Sequence, residues 1–240
     1  MRPSCMSREA GLSIVLYIII ILFVVLPNFQ QDAYAQPKLL PVILLHGSFE
    51  DASVWDTWES LLKQDGITFF TVTFANDDKC GSAASHAIEL QETVQNISQL
   101  TGSEKVNIAA HSKGGLDARA YLSKGADNVA NLIMIGTPNA GSPLAFSNNF
   151  CAPAVWDLRP GATVDEAPRN PHTKYYTISG DWLPLTGGNF YIPGPDDGLV
   201  SVSSVESKSY FDSLGRTQNN HMDLLGPQEY GMARGTLMGK

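Results

Sequence analysis

Three residues far apart in the chain are of the types that attack an acyl carbon together: Ser112 in AAHSKGG, Asp197 in PDDGLVSVSS and His221 in NNHMDLLG. A serine hydroxyl is a poor nucleophile near neutral pH, so an imidazole must take its proton as the new bond forms. A carboxylate on the other ring nitrogen fixes the tautomer and stabilises the imidazolium. Plainer readings stand beside this one: Ser112 as the N-cap of a helix, and the Asp-Gly pair as an ordinary turn.

The surroundings of Ser112 favour the chemistry. KVNIAA before it reads as a buried strand, and GGLDARAYLSK after it reads as a helix with small residues on its inner side. A serine squeezed between strand and helix exposes its Oγ at the top of an α/β sheet. The order serine, aspartate, histidine at positions 112, 197 and 221 is the chain order of the α/β-hydrolases. Asp196 is the rival of Asp197. His111, adjacent to Ser112, is expected to project elsewhere and bond locally. His86 falls on a helix read as exposed, and His172 in a loop before a strand.

The elements that must position these residues alternate. LLPVILLHG (39–47) is a continuous apolar run and hence a strand buried on both faces; WDTWESLLKQDG follows as a short amphipathic helix. ITFFTVTF (67–74) is a second strand. AIELQETVQNISQLTG places Ile88, Val94, Ile97 and Leu100 at roughly helical intervals. KVNIAA and VANLIMIGTP (129–138) are further strands, with KYYTISG and GLVSV as two more candidates. Apolar strands alternating with helices imply a mostly parallel central sheet with helices on both faces. Functional loops then lie at the carboxyl ends of the strands. Residues 140–171, rich in Pro, Gly and small residues, read as a small cap or loop region on the substrate side. Its Phe146, Phe150, Val155 and Trp156 either line an acyl pocket or simply pack a long loop.

Composition bounds the rest. At 240 residues, with no linker or composition shift after the N-terminus, one domain is expected, spanning 36–240. The net charge of −8 argues against nucleic acid as a partner. Arg2 and Arg8 precede an apolar stretch from Leu12 to Leu26, and AYA follows at 33–35. This is the pattern of a signal peptide over 1–35 and of a secreted or extracytoplasmic protein, an uncleaved membrane anchor being the alternative. Cys80 and Cys151 then remain, an even pair that suggests one disulfide in an oxidising compartment, with two separate buried thiols as the alternative.

The motifs VILLHG, AHSKGGLDARAYL, IGTPNAGSPLA, DDGLVSVSS and NHMDLLG, in this order from Pro41 to Gly226, resemble the lipase branch of the α/β-hydrolases, the secreted bacterial triacylglycerol lipases and esterases. The resemblance implies the α/β-hydrolase fold and a carboxylic ester hydrolase acting on an acyl ester or lipid. It makes Ser112 the nucleophile, His221 the base, and Asp197, directly before Gly198, the orienting acid. It makes the backbone N–H groups of Ser48 and Lys113 an oxyanion hole, with His46 bracing that loop. Conformation should matter more there than side-chain identity. Ala110 stands where the elbow pattern has its first glycine, and the short chain leaves little room for a large helical lid. No catalytic cofactor is implied. Some relatives hold a structural calcium ion near the histidine, and Asp223 and, more loosely, Asp181 match its ligands, but the positions around Pro227 and Gln228 do not, so no metal site is assigned. Acyl transfer to an alcohol, thioester cleavage and polyester hydrolysis use the same constellation, and a silent hydrolase fold used for binding is the rival of a different class. Membrane contact is expected only through the leader or a lipid interface.

Overall fold

Among the described residues six parallel strands form the sheet, in the order β2-β1-β3-β4-β5-β6. They are β1 (Val42–Leu45), β2 (Phe69–Val72), β3 (Val106–His111), β4 (Val129–Ile135), β5 (Lys174–Gly180) and β6 (Phe211–Thr217). The computed structural model describes residues 39–74, 80–147, 151–182 and 189–240; the leader read at 1–35, and Phe150, lie outside them. Among the described residues the helices are α1 (Asp56–Gln64), α2 (Ala83–Thr101), α3 (Lys113–Leu122), α4 (Ala154–Asp157), α5 (Val202–Val205) and α6 (Pro227–Leu237).

Successive side chains of a strand point to opposite faces, and both faces here are covered. Ile43, Leu45 and Ile108 pack with Leu90 and Val94 of α2 and Tyr121 and Leu122 of α3. Val42, Leu44 and Ile133 pack with Trp58 and Leu62 of α1 and Tyr230 and Leu237 of α6. That double burial is why the strands read as unbroken apolar runs. The stripe of α2 differs from expectation. It buries Ala83, Ala87, Leu90, Val94 and Ile97, whereas Ile88 and Leu100 face solvent. The helix also starts earlier, at a Ser82 cap whose side chain accepts from the Ser85 amide.

GLVSV is not a strand. The Asp197 carboxylate accepts the amides of Leu199 and Val200 at 2.9 and 2.7 Å, which removes them from any ladder, and Val202 opens α5. The sixth strand is FDSLGRT, an edge strand that exposes Asp212, Ser213 and Arg216 and so carries no apolar run.

The chain runs from β1 to β2 on one side and returns through β3 to the other. The strand order therefore reverses between β1 and β3, the place where open parallel sheets leave a crevice. The excursion after β4 covers this crevice with a 3-10 turn at Pro143–Phe146, with α4 and with a second turn at Thr163–Glu166. Arg119 of α3, buried, holds it from below: its guanidinium donates to Asn139 Oδ1 at 3.1 Å and to the Asp165 carbonyl at 3.0 Å. A Cys80–Cys151 disulfide ties it to the segment before α2, and the Ala154 amide donates to the Cys80 carbonyl at 3.1 Å. The bridge spans a sequence separation of 71 residues, so its loss releases a large loop in the unfolded chain. Replacing both cysteines with serine is expected to cost about 2–4 kcal/mol of stability. Denaturant unfolding followed by circular dichroism measures this, and an unchanged midpoint would contradict it.

Candidate active site

Ser112 lies between β3 and α3 at φ 51° and ψ −125°. Its amide still donates to the Ile135 carbonyl at 2.8 Å, so the sheet holds it up to that atom, and the helix starts at the next residue. Its hydroxyl makes no capping bond to the helix, which removes the N-cap reading. Two glycines make the close approach possible. A Cβ on Gly114 would lie 2.6 Å from the His46 carbonyl oxygen, and one on Gly47 would lie 2.8 Å from Ser112 Cβ. Ala110, in place of the first elbow glycine, sits wholly buried in the core cluster with Ile43 and Leu45, where its methyl is accommodated.

The structure brings Ser112, His221 and Asp197 into one hydrogen-bonded line. His221 Nε2 lies 2.9 Å from Ser112 Oγ, and His221 Nδ1 lies 2.7 Å from Asp197 Oδ2. The other Asp197 oxygen accepts the amides of Leu199 and Val200, and its carbonyl accepts the His221 amide at 2.8 Å. The carboxylate is thus aimed by its own turn. Asp196 turns away: it accepts the amides of Asn189 and Gly198 and shapes the loop. His221 opens a 3-10 turn (His221–Asp223) that the Asn220 side chain caps by accepting the amides of Met222 and Asp223.

Ser112 and His221 border a cavity of about 300 Å³ whose other walls include Leu144, Ala145, Val155, Leu158 and Leu199. Ser48 borders it too, and Lys113 supplies the first amide of α3, one of the helix N–H groups without an intrahelical partner. Of the aromatic and aliphatic residues expected to line an acyl pocket, Val155 does so. Phe146 and Trp156 do not: they are 60% and 54% exposed. Each follows a residue, Ala145 or Val155, that faces the cavity, so the short helical turn points it outward.

The other histidines divide. His46 Nδ1 lies 2.8 Å from the Gly47 carbonyl, and its ring meets Phe74 edge-on. His86, read as exposed, is buried: it stacks on Phe74 and bonds Asp117 of α3 at 2.8 Å. The reason is that its face of α2 packs against α3, where polar groups pair with one another. His172 is exposed. His111 is wholly buried, between Glu50 and the backbone of His221, and Glu50 is the residue that sequence reasoning missed. The available signal was spacing, since an acid three positions after Gly47 can reach back to its amide. Among the described residues no group of three or more His, Cys, Asp or Glu is placed to hold a metal ion, and Asp223 Oδ2 accepts from Asn220 Nδ2 instead.

Comparison with known proteins gives these features a family. Residues 41–174 match the family model described as palmitoyl protein thioesterase. The chain is 32% identical over 120 residues to a triacylglycerol lipase of Pseudarthrobacter phenanthrenivorans, covering 48% of this chain and 37% of that protein. A triacylglycerol lipase of Burkholderia plantarii is also 32% identical over 120 residues, with 48% and 33% covered. The chain therefore spans about a third of the length of these relatives. Among solved structures, the mature form of the Bacillus licheniformis lipase BlEst2 superposes with a TM-score of 0.69 at 22% identity, covering 84% of this chain and 93% of that one. Aspergillus fumigatus lipase B does so with a TM-score of 0.54 at 18% identity, covering 79% and 46%. The architecture is the α/β-hydrolase fold, and since the family model matches over half of the sequence, the chain belongs to the palmitoyl protein thioesterase family.

Proposed function

We propose that the protein is a serine carboxylic-ester hydrolase that works through an acyl-enzyme on Ser112. One observation carries this reading: the hydrogen-bonded line Asp197, His221, Ser112 at the wall of an apolar cavity. In the first half-reaction Ser112 Oγ attacks the acyl carbon while His221 Nε2 takes its proton. The imidazolium is stabilised by Asp197, then returns that proton to the departing alcohol or thiol. In the second half, water attacks the acyl-enzyme with His221 again as base, and the carboxylic acid leaves. The amides of Ser48 and Lys113 are the proposed donors to the oxyanion, and the positive end of the α3 dipole favours charge at the same place.

The cavity walls point to an apolar acyl group. The leaving group is a separate matter. The lipase relatives favour an oxygen ester, whereas the description of the family favours a thioester. Either one fits the same two half-reactions. The disulfide supports a location outside the cytosol, as the leader expected at 1–35 does.

The test is hydrolysis of p-nitrophenyl esters and of the matching acyl thioesters, beside Ser112→Ala. We expect the parent to turn over and to be labelled by a fluorophosphonate, and the variant to lose activity by a factor on the order of 10⁶ and all of its labelling. A folded parent that neither turns over nor labels would refute the reading. Filling the cavity with Leu144→Trp should cut activity on long acyl chains well beyond that on short ones. Equal losses across the series would remove the cavity as the acyl site.

A further inference from the structure

Beside the line of Asp197, His221 and Ser112 lies a second acid and imidazole that the mechanism does not use. Glu50 ends the loop after β1, almost wholly buried, and His111 ends β3. Glu50 Oε2 accepts the Gly47 amide at 2.6 Å and meets His111 Nδ1 at 2.9 Å. The other ring nitrogen, His111 Nε2, donates to the His221 carbonyl at 3.0 Å. A carbonyl can only accept, so Nε2 carries a proton. Nδ1 carries one as well whenever Glu50 is ionised. Burial pushes the Glu50 carboxyl up, but the bond to His111, the charge of His111, the Gly47 amide and the charge of His221 outweigh it and hold the group below its ordinary value. The titratable groups that face the pair are the His221 ring, whose centroid is 4.8 Å from that of His111, and behind it Asp197.

The loop that Glu50 closes is strained. Phe49, between Ser48 and Glu50, has φ 65°, a conformation that a bulky residue rarely adopts. The bond from Glu50 back to the Gly47 amide spans this residue and fixes the direction of Ser48.

We propose that Glu50 and His111 are positioning residues, a buried charged pair that holds the Ser48 loop and the backbone of His221 in register with Ser112. The role rests on the hydrolase reading above. One carboxylate oxygen ties the segment after β1 to the end of β3, and the imidazolium ties the end of β3 to the turn that carries His221. Charge-assisted bonds of this kind are roughly twice as strong as neutral ones. His111 does not border the cavity; Glu50 does, but its Oε2 is taken by the Gly47 amide and by His111, so it acts through them. His111 cannot replace His221 as base, since both of its nitrogens are engaged.

The experiment uses the full chain, with active sites counted by fluorophosphonate titration. In Glu50→Ala, kcat per labelled site on a short p-nitrophenyl ester should fall about 10- to 100-fold, up to the loss of one oxyanion donor, while KM changes little. Glu50→Gln should restore most of it. Its amide oxygen, in the place of Oε2, can still accept from Gly47 and so keep the bond that spans Phe49, while the neutral side chain no longer holds a second proton on His111. A merely structural residue would lower the melting temperature and the number of labelled sites and leave kcat per site intact. Nitrogen-15 NMR of the histidines gives a readout that needs no turnover: His111 should carry protons on both ring nitrogens in the parent at neutral pH and on one in Glu50→Gln. Linkage supplies a pH signature. A carboxyl with a lowered folded pKa contributes stability above its unfolded value and loses it as pH falls through the folded one. The parent should therefore lose more melting temperature on acidification than Glu50→Gln, and parallel curves would count against the pair. An active, labelled parent whose His111 holds a single ring proton, or whose Glu50→Ala variant keeps its kcat per site, overturns the positioning role alone. A parent without turnover or label overturns the hydrolase reading, and this role with it.

Discussion

Everything at the site depends on the backbone of Ser112, held where a residue with a Cβ is seldom found. Such a conformation costs on the order of 1–3 kcal/mol and persists only where its surroundings over-determine it. They do so here from three sides. The Ser112 amide is fixed to β4, its carbonyl accepts the Gly115 amide at 3.1 Å, and β1 ends directly beneath the start of α3. The contact with β1 has no slack, since a methyl on Gly47 or Gly114 would overlap main-chain or Ser112 atoms. The turn that strains the serine also lifts its hydroxyl off the helix and leaves it for His221.

The remaining parts reach this point because the sheet delivers them to one edge. Loops after β1, β3 and β4 and the segments after β5 and β6 all leave the carboxyl ends of parallel strands, and the switch in strand order opens the crevice between the first two. The acid turn is tied to the excursion that covers the crevice: Ser142 Oγ donates to the Leu199 carbonyl at 2.6 Å, and Ser204 Oγ donates to the Gly141 carbonyl at 2.7 Å. The apolar wall and the Asp197 turn therefore share hydrogen bonds.

How much of this was legible follows from how local each signal is. β1, β3 and β4 were legible because burial on both faces leaves largely apolar runs, and β5 because Tyr, Thr and Ile favour an extended chain. FDSLGRT was not, because an edge strand shows its polar side chains to water, and GLVSV misled because its valines are buried without being a strand. Ser112, Asp197 and His221 could be named because each sits in a short motif of fixed order. For Glu50 the spacing from Gly47 was the one local signal; its partner His111 is 61 positions away, and only the fold shows that an acid in HGSFE reaches it. Phe146 and Trp156 failed for a related reason, since one residue of rotation on a short helical turn decides between cavity and solvent.

The side chains beside the two proposed oxyanion amides bear on a sequence expectation that only their backbone conformation matters. Conformation is itself set by side chains. On one side, Glu50 and His111 close the loop around Ser48. On the other, Lys113 buries its own ammonium, which donates to Asp117 Oδ1 at 2.6 Å, one turn along α3, while the second Asp117 oxygen meets His86 of α2. Removing one partner of such a buried pair strands the charge of the other, a heavy penalty even where the intact pair adds little stability. Each pair therefore resists any movement that would separate its members, and the amide beside it is held still by the same cost. A backbone donor needs that stillness to act on a charge that forms only in the transition state, because reorganisation at that moment would cancel the gain.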